Sequence, residues 1–447
     1  MRSTFLLSLL LLVSIAGKSQ ESPSGKTYQF NLQQCLEYAF ANQDSMKNAR
    51  LDIESAEYRV KETIGIGLPQ IDGTAQFQDF LKIPTTLIPG EFFGEEAGTF
   101  IPVKFGVKYQ SSAGLSVSQL LFNGSYLVGL KASKTYRELS QRSLTRTKVQ
   151  TEVSVTKAYY QVLVNAEQIN LLDANIKQLK QQVDETTELN KQGFVEKVDL
   201  DRLRVLYNNL ITSRENTIRL LALGYQLLKF QMGMPVSENL VLTDKIENIR
   251  LDNTAPLPTD TTAYRNRPEY ALFETQKKLN ELNLQRIRSQ FLPSLAAFGN
   301  TSYNYQAERF RDLWDQKFPT TVVGLQLNVP IFSGFQRLNQ VRQARIEVQK
   351  TENTLGTLKN AINLEQDVAR TNYENGIQSL NNQRNNRALA QEVLRVSRIK
   401  YEQGVGSSLE VTQAQTALQE AENNYIQALY DALISKVDLD KAYGRIQ

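Results

Sequence analysis

Residues 113–124 read AGLSVSQLLFNG and residues 323–334 read VGLQLNVPIFSG. In register, Gly114, Phe122 and Gly124 fall on Gly324, Phe332 and Gly334, an offset of 210 positions. Farther along, KQGF around Gly193 matches EQGV around Gly404, and Gly233 matches Gly444, both at an offset of 211. A repeat of this length sets the frame for every local reading. The chain is one module used twice, and each module is a strand-bearing segment followed by two long helices.

The strand-bearing segments show a period of two. Phe105, Val107, Tyr109, Ala113, Leu115, Val117 and Leu121 share one parity, broken only by Ser111 and Gln119, while Gly, Ser, Lys and Gln fill the other. Val323, Leu325, Leu327, Val329 and Ile331 repeat the pattern against Gly324, Gln326 and Asn328. Weaker alternation runs over 71–80 and 295–305. Such alternation predicts strands with one apolar and one polar face. Between the paired strands, residues 82–104 and 306–319 read as loops rich in aromatics, including Phe92, Phe93, Phe100, Phe310, Trp314 and Phe318. Aromatics flanking an apolar band suit a membrane–water boundary; a soluble half-buried sheet shows the same period.

Each strand segment is preceded by a helix ending at a proline. Residues 31–67 form one helix capped by Asn31 and stopped before Pro69, and residues 268–291 form another, stopped before Pro293. After the strands the period lengthens to seven. Val155, Val162, Ile169, Ile176 and Val183 recur in the first half, and Val341, Val348, Leu355, Ile362 and Ala369 in the second. A sustained heptad keeps one seam facing a neighbour, as in a coiled coil. Some 65 helical residues span roughly 100 Å. Each long helix ends at a glycine turn, QGFV at 192–195 or QGVG at 403–406, and a return helix follows over roughly 198–232 or 408–443.

Composition narrows the chemistry. The 447 residues carry a net charge of only +4 and no block of basic residues, so nucleic acid is not an expected partner. Histidine is absent and Cys35 is the single cysteine. Histidine acid–base catalysis, His/Cys metal cages and an intramolecular disulfide are thereby excluded. No nucleophile–base pair stands in a motif context, so no enzyme, cofactor or metal is expected. Arg2 followed by an apolar run from Phe5 to Ile15 reads as a secretory leader over 1–19, with an uncleaved anchor as the alternative. Residues 20–233 form the first repeat, 234–266 a linker against the outside of the helical body, and 267–447 the second repeat.

Two strands per half leave a four-stranded sheet with two open edges, which hydrocarbon does not tolerate. Barrels close with about eight strands or more, so membrane strands here require copies of the same chain. At this point the sequence resembles the TolC family of outer membrane efflux proteins. The resemblance rests on Leu68-Pro69 after the first helix, the strand-to-helix signatures at 115–122 and 325–332, the Gln-Gly tips and the duplication. It implies an α+β membrane protein whose pseudo-duplicated protomer contributes four barrel strands and long coiled-coil helices. A homotrimer would then form a twelve-stranded outer membrane β-barrel and a periplasmic α-helical barrel. It further implies contact with outer membrane lipid, a periplasmic adaptor (membrane fusion) protein and an inner-membrane pump. The function implied is passive export in a tripartite efflux or type I secretion system.

By the same resemblance, Gly193, Phe194, Val195, Gly404, Val405 and Gly406 are the tips that meet the adaptor, although the glycines are also explained by turn closure alone. Glu410 aligns with an acidic position of the periplasmic gate, Asp199 is its first-half counterpart, and Gln413 stands where the family pattern has a second acid. The competing reading is a soluble periplasmic coiled-coil scaffold or adaptor, which accounts for the helices but not for the strands.

Overall fold

The computed structural model describes residues 27–246, 249, 251 and 263–446. The expected leader lies outside them. In chain order the elements are β1 (Thr27–Phe30), α1 (Leu32–Asn42), α2 (Asp44–Ile66), β2 (Gln70–Asp79), β3 (Thr85–Pro89), β4 (Phe100–Lys104), β5 (Tyr109–Phe122), α3 (Gly124–Lys191) and α4 (Lys197–Met232). They continue with β6 (Asn239–Leu242), α5 (Pro268–Arg288), β7 (Ser294–Ala307), β8 (Lys317–Asn328), α6 (Gln336–Glu402) and α7 (Ser408–Ala442). No helix among the described residues is long and apolar enough to cross a membrane. Contacts divide the chain into two compact units. One joins Met1–Asn48, Arg146–Tyr264 and Ile362–Gln447; the other joins Ala49–Thr145 and Arg265–Ala361. Each unit therefore draws on both repeats.

The second unit holds an antiparallel sheet in the order β2-β5-β7-β8, open at β2 and β8. Directly opposed residues share a face. Ile71 lies opposite Val117, Leu115 opposite Thr301, and Ala297 opposite Leu325. This places the apolar parity of all four strands on one side. That side is bare: Val323 is 81% and Leu325 69% exposed, and Ile71, Leu115 and Leu327 are exposed as well. A soluble sheet would bury this surface; here it is uncovered, as a lipid-facing band would be.

The two breaks in the β5 alternation are satisfied locally. Ser111 donates its hydroxyl to the Gln76 carbonyl at 3.0 Å, and Gln119 donates to the carbonyls of Gly67 (2.6 Å) and Leu120 (3.1 Å). On the same face, the Thr301 and Thr321 hydroxyls pair across strands at 3.0 Å. Polar side chains that bond within the sheet escape the penalty of an unpaired group in an apolar medium.

Several boundaries differ from the sequence expectation. The strand expected from residue 105 begins at Tyr109, because Gly106 has φ +114° and breaks the extended run. The segment 82–104 is not all loop: β3 and β4 form an antiparallel hairpin with Ile88 opposite Ile101. The helix expected over 31–67 is two helices. Asn31 caps α1 in a reciprocal box with Gln34, both bonds 2.9 Å. Gln43 is extended (ψ 129°), and its side chain then accepts from the Met46 N–H, starting α2. The polar run Asn42-Gln43-Asp44-Ser45 offers local bonds that compete with a continuous helix.

The first unit is helical around the short parallel pair β1–β6. Its core gathers Cys35, Ala39, Val155, Tyr159, Leu228 and Leu433. The described part of the expected linker is built in rather than draped outside: β6 pairs with β1, and Leu240 joins this core. Burial holds the Cys35 thiol up at about 12, with Asp244 adding to the shift, so it is a packed, unreactive thiol. Beyond the core the helices zip in pairs. Leu172 and Leu179 meet Leu203 and Leu210 between α3 and α4; Leu394 meets Val411, Ala414 and Leu418 between α6 and α7. The heptad residues Val155, Val162, Ile362 and Ala369 are buried, as the seven-residue period predicts.

Candidate functional site

The two helical hairpins end in the same hydrogen-bonded turn. At the first, the Gly193 N–H bonds the Asn190 carbonyl and the Phe194 N–H bonds the Leu189 carbonyl, both at 3.0 Å. At the second, Gly404 bonds Tyr401 and Val405 bonds Lys400, again both at 3.0 Å. These are Schellman closures, and they require a left-handed residue, which Gly193 (φ +78°) and Gly404 (φ +74°) supply. Val195 holds the first turn shut by accepting from the Asn190 amide at 2.7 Å. Gly406 adds a second N–H to the Lys400 carbonyl at 3.0 Å, and a Cβ there would sit 2.9 Å from the Lys400 Cβ. The turns leave Phe194 and Val405 each 76% exposed. Two large apolar side chains thus stand bare at the loop apices.

The acidic candidates lie in the first turns of the return helices. Glu410 is exposed on α7, and its N–H is capped by the Ser407 hydroxyl at 3.2 Å. Gln413 is exposed three residues later, on the same helical face. Asp199 is half-buried on α4 and pairs with Arg202 at 3.2 Å. Acids in a first turn are also favoured by the helix dipole. The structure brings Asp199 to Tyr401 of α6: burial raises the Tyr401 phenol above its ordinary value, and the Asp199 carboxylate raises it further. Tyr401 stands within electrostatic reach of the other hairpin's acid, and it escaped the sequence reading because that acid lies in the other repeat.

A polar cluster farther along the same helices also escaped it. Asn175 of α3 donates to the buried Glu422 of α7 at 2.5 Å, and Arg398 of α6 donates to Gln415 of α7 at 3.0 Å. Asn175, Arg398 and Glu422 border a cleft of about 490 Å3. Burial raises the Glu422 carboxyl above its usual range, opposed by Asn175 and by Arg387. Burial likewise lowers Arg398, opposed by Glu402 and Glu185. In sequence these were single polar residues inside heptads, with no signal of their joint placement. Among the described residues no cluster of acids and Cys has the makings of a metal site.

Comparison with known proteins agrees with this architecture. The family profile described as outer membrane efflux protein matches the chain over residues 35–209 and again over 261–445. The probable efflux pump outer membrane protein TtgC of Pseudomonas putida is 23% identical over 421 residues, covering 92% of this chain and 82% of that protein. The outer membrane protein TolC of Vibrio cholerae is 20% identical over 337 residues, covering 75% and 77%. In structure, the open state of the Neisseria gonorrhoeae MtrE outer membrane channel superposes with a TM-score of 0.75 at 17% identity, covering 93% of this chain and 89% of that one. That likeness carries the fold. The chain belongs to the outer membrane efflux protein family, whose members are channel components of the outer membrane.

Proposed function

We propose that three copies of the chain assemble into a passive exit duct: a twelve-stranded barrel in the outer membrane continued by a helical tube in the periplasm. The observation that carries this reading is the sheet with two open edges and a bare apolar side. In lipid, the unpaired backbone of β2 and β8 has to be satisfied, and the simplest solution joins β8 of one copy to β2 of the next. The dimensions fit. β5 has 14 residues, a rise of roughly 46 Å, which at the usual strand tilt gives a height of about 35 Å, enough for the apolar band.

In this reading the repeats 20–233 and 267–447 each supply two strands and one hairpin. The exposed tips at Phe194 and Val405 dock a periplasmic adaptor, which couples the duct to an energised inner-membrane pump of an efflux or secretion system. Glu410, with Asp199 behind it, lines the narrow periplasmic end, and Gln413 replaces a second acidic ring by a neutral one. The chain itself performs no covalent chemistry. The decisive test is extraction of the exported protein with mild detergent, followed by electrophoresis with and without heating. A heat-labile band at three times the chain mass supports the duct; a monodisperse monomer in detergent-free buffer ends it.

A further inference from the structure

Three of the four segments that join the sheet to its helices lack acids; the fourth, where α2 runs into β2, carries Glu62 and Asp72. No Asp or Glu occurs in residues 97–137, 282–307 or 316–346. These windows hold β5 and the start of α3, the end of α5 with β7, and β8 with the start of α6. Cations do occur there. Lys131, Lys134 and Arg137 lie in the first four turns of α3, Arg288 ends α5, and Arg337 and Arg345 lie in the first three turns of α6. Arg337 is half-buried and the other five are exposed. None of the six has a carboxylate within 4 Å.

Just beyond this zone, in the same unit, pairing resumes. Glu138 takes Lys278 at 3.3 Å and Arg142 at 3.9 Å; Glu347 takes Lys350 at 2.8 Å; Glu352 takes Lys277 at 2.9 Å. The acid-free stretch runs deepest on α3 and α6 and is shorter on α5, where Glu281 already precedes Arg288 by two turns.

The helix ends add a second observation. Neither α3 nor α6 has an acid in its first turn, where one would complement the dipole, and α6 places Arg337 there instead. Both positive helix ends therefore point at the sheet uncompensated. Side chains of a helix lean toward its N-terminus, so the lysines and arginines of α3 and α6 lean back toward the strands. Lys131 starts about 10 Å along α3, and its four-carbon stem shortens that distance.

We propose that these six cations form a collar that binds the anionic glycerophospholipid headgroups of the leaflet on the helical side of the membrane. This rests on the membrane reading of the sheet given above. The headgroup zone beyond the hydrocarbon is about 5–8 Å deep, and a surface potential extends roughly 8 Å more at physiological salt. Lys131, Arg288 and Arg337 fall within that depth, and the rest at its edge. Phosphate diesters supply the negative charge that the sequence withholds, and juxtamembrane clusters of Lys and Arg are attracted to such a surface.

The test uses the full chain reconstituted in nanodiscs of phosphatidylethanolamine with a minority of phosphatidylglycerol. The particles are then extracted in mild detergent and weighed by native mass spectrometry. The wild-type chain should retain phosphatidylglycerol at least threefold above its share of the mixture, and 0.5 M NaCl should abolish the excess. A Lys131→Gln/Lys134→Gln/Arg288→Gln variant should lose most of it, whereas Lys177→Gln/Lys180→Gln, far along α3, should not. Equal retention of the two lipids, or an unchanged excess in the triple variant, overturns the collar. Retention that moves instead to added peptidoglycan fragments also overturns it. Failure to enter nanodiscs at all would strike the membrane reading itself, so the two failures are distinct.

Discussion

Tyr159 of α3 gives its phenolic hydrogen to Asp244 across 2.6 Å, and the Leu32 N–H reaches the same carboxylate oxygen at 3.2 Å. One acid after β6 thereby fastens α3 and caps α1. Burial, with Asp244 next, pushes the Tyr159 phenol far above its ordinary range, so the proton stays on the tyrosine at any physiological pH. Tyr159→Phe keeps the buried ring and deletes one hydrogen bond to a charged group, a loss of about 1.5–3 kcal/mol. The thermal transition of the helical body, followed by circular dichroism, should fall accordingly and by the same amount at pH 6 and pH 8.

The Asn175–Glu422 contact predicts a pH dependence. The Glu422 carboxyl titrates above its ordinary 4.5 in the folded chain because of burial. A carboxyl raised on folding binds more protons in the native state, so stability falls as pH rises through the window from the unfolded to the folded value. Glu422→Gln retains an acceptor for Asn175 and carries no charge. Its melting temperature should exceed wild type at pH 7, and the gap should shrink as pH approaches 4.5. A constant gap across that range would contradict the titration.

The tip glycines are separable from their neighbours. A Cβ at Gly193 or Gly404 meets nothing within 4 Å, so only the backbone resists substitution. Gly404→Ala should cost about 1–2 kcal/mol locally and Gly404→Asn less, because Asn tolerates the left-handed region. Hydrogen exchange at Lys400 to Gly406 should accelerate in that order. Phe194→Asp with Val405→Asp, at positions already exposed, should leave exchange and assembly unchanged yet abolish co-purification of the periplasmic adaptor from cross-linked cells.

The two faces of β8 should respond oppositely to charge. Leu325 lies on the outward apolar side and Gln326 on the other. Leu325→Lys should destabilise the inserted protein by about 2–4 kcal/mol if near mid-bilayer, visible as a lowered temperature for loss of the slow-migrating band. Gln326→Lys should insert normally and change only single-channel conductance.

In the proposed trimer three Glu410 carboxylates would converge at the periplasmic end and should favour cations. Glu410→Ala should lower the cation-to-anion permeability ratio in planar bilayers, and Gln413→Glu should raise it. A ratio that Glu410→Ala leaves untouched removes Glu410 from the pore.

The strands and coiled-coil seams were legible in sequence because an apolar face writes its own period: the exposed Leu115 and Val117 alternate with Gly114 and Ser116, and the buried Val155 returns as Val162. What failed depended on local competition or on distant partners. The break at Gln43 hid because helical spacing continues through it while side-chain caps do not follow that spacing. β3 and β4 hid behind Pro89 and Pro102, which an isolated two-stranded hairpin accommodates. β1 and β6 are four residues each, too short to show alternation. The Tyr401–Asp199 proximity and the Asn175–Glu422 bond join residues some 200 or more positions apart, which no single-sequence pattern encodes.

The long helices have 68 and 67 residues and the return helices 36 and 35. Such near-identity constrains how a lineage can resize the protein. Deleting one heptad from α3 removes about 10 Å of reach and must be answered by deletions in α4, α6 and α7, or one arm ends short of its twin. Viable insertions and deletions in relatives should therefore arrive as coordinated sets of four, whole heptads at a time, which makes this chain a gauge whose depth is inherited in steps.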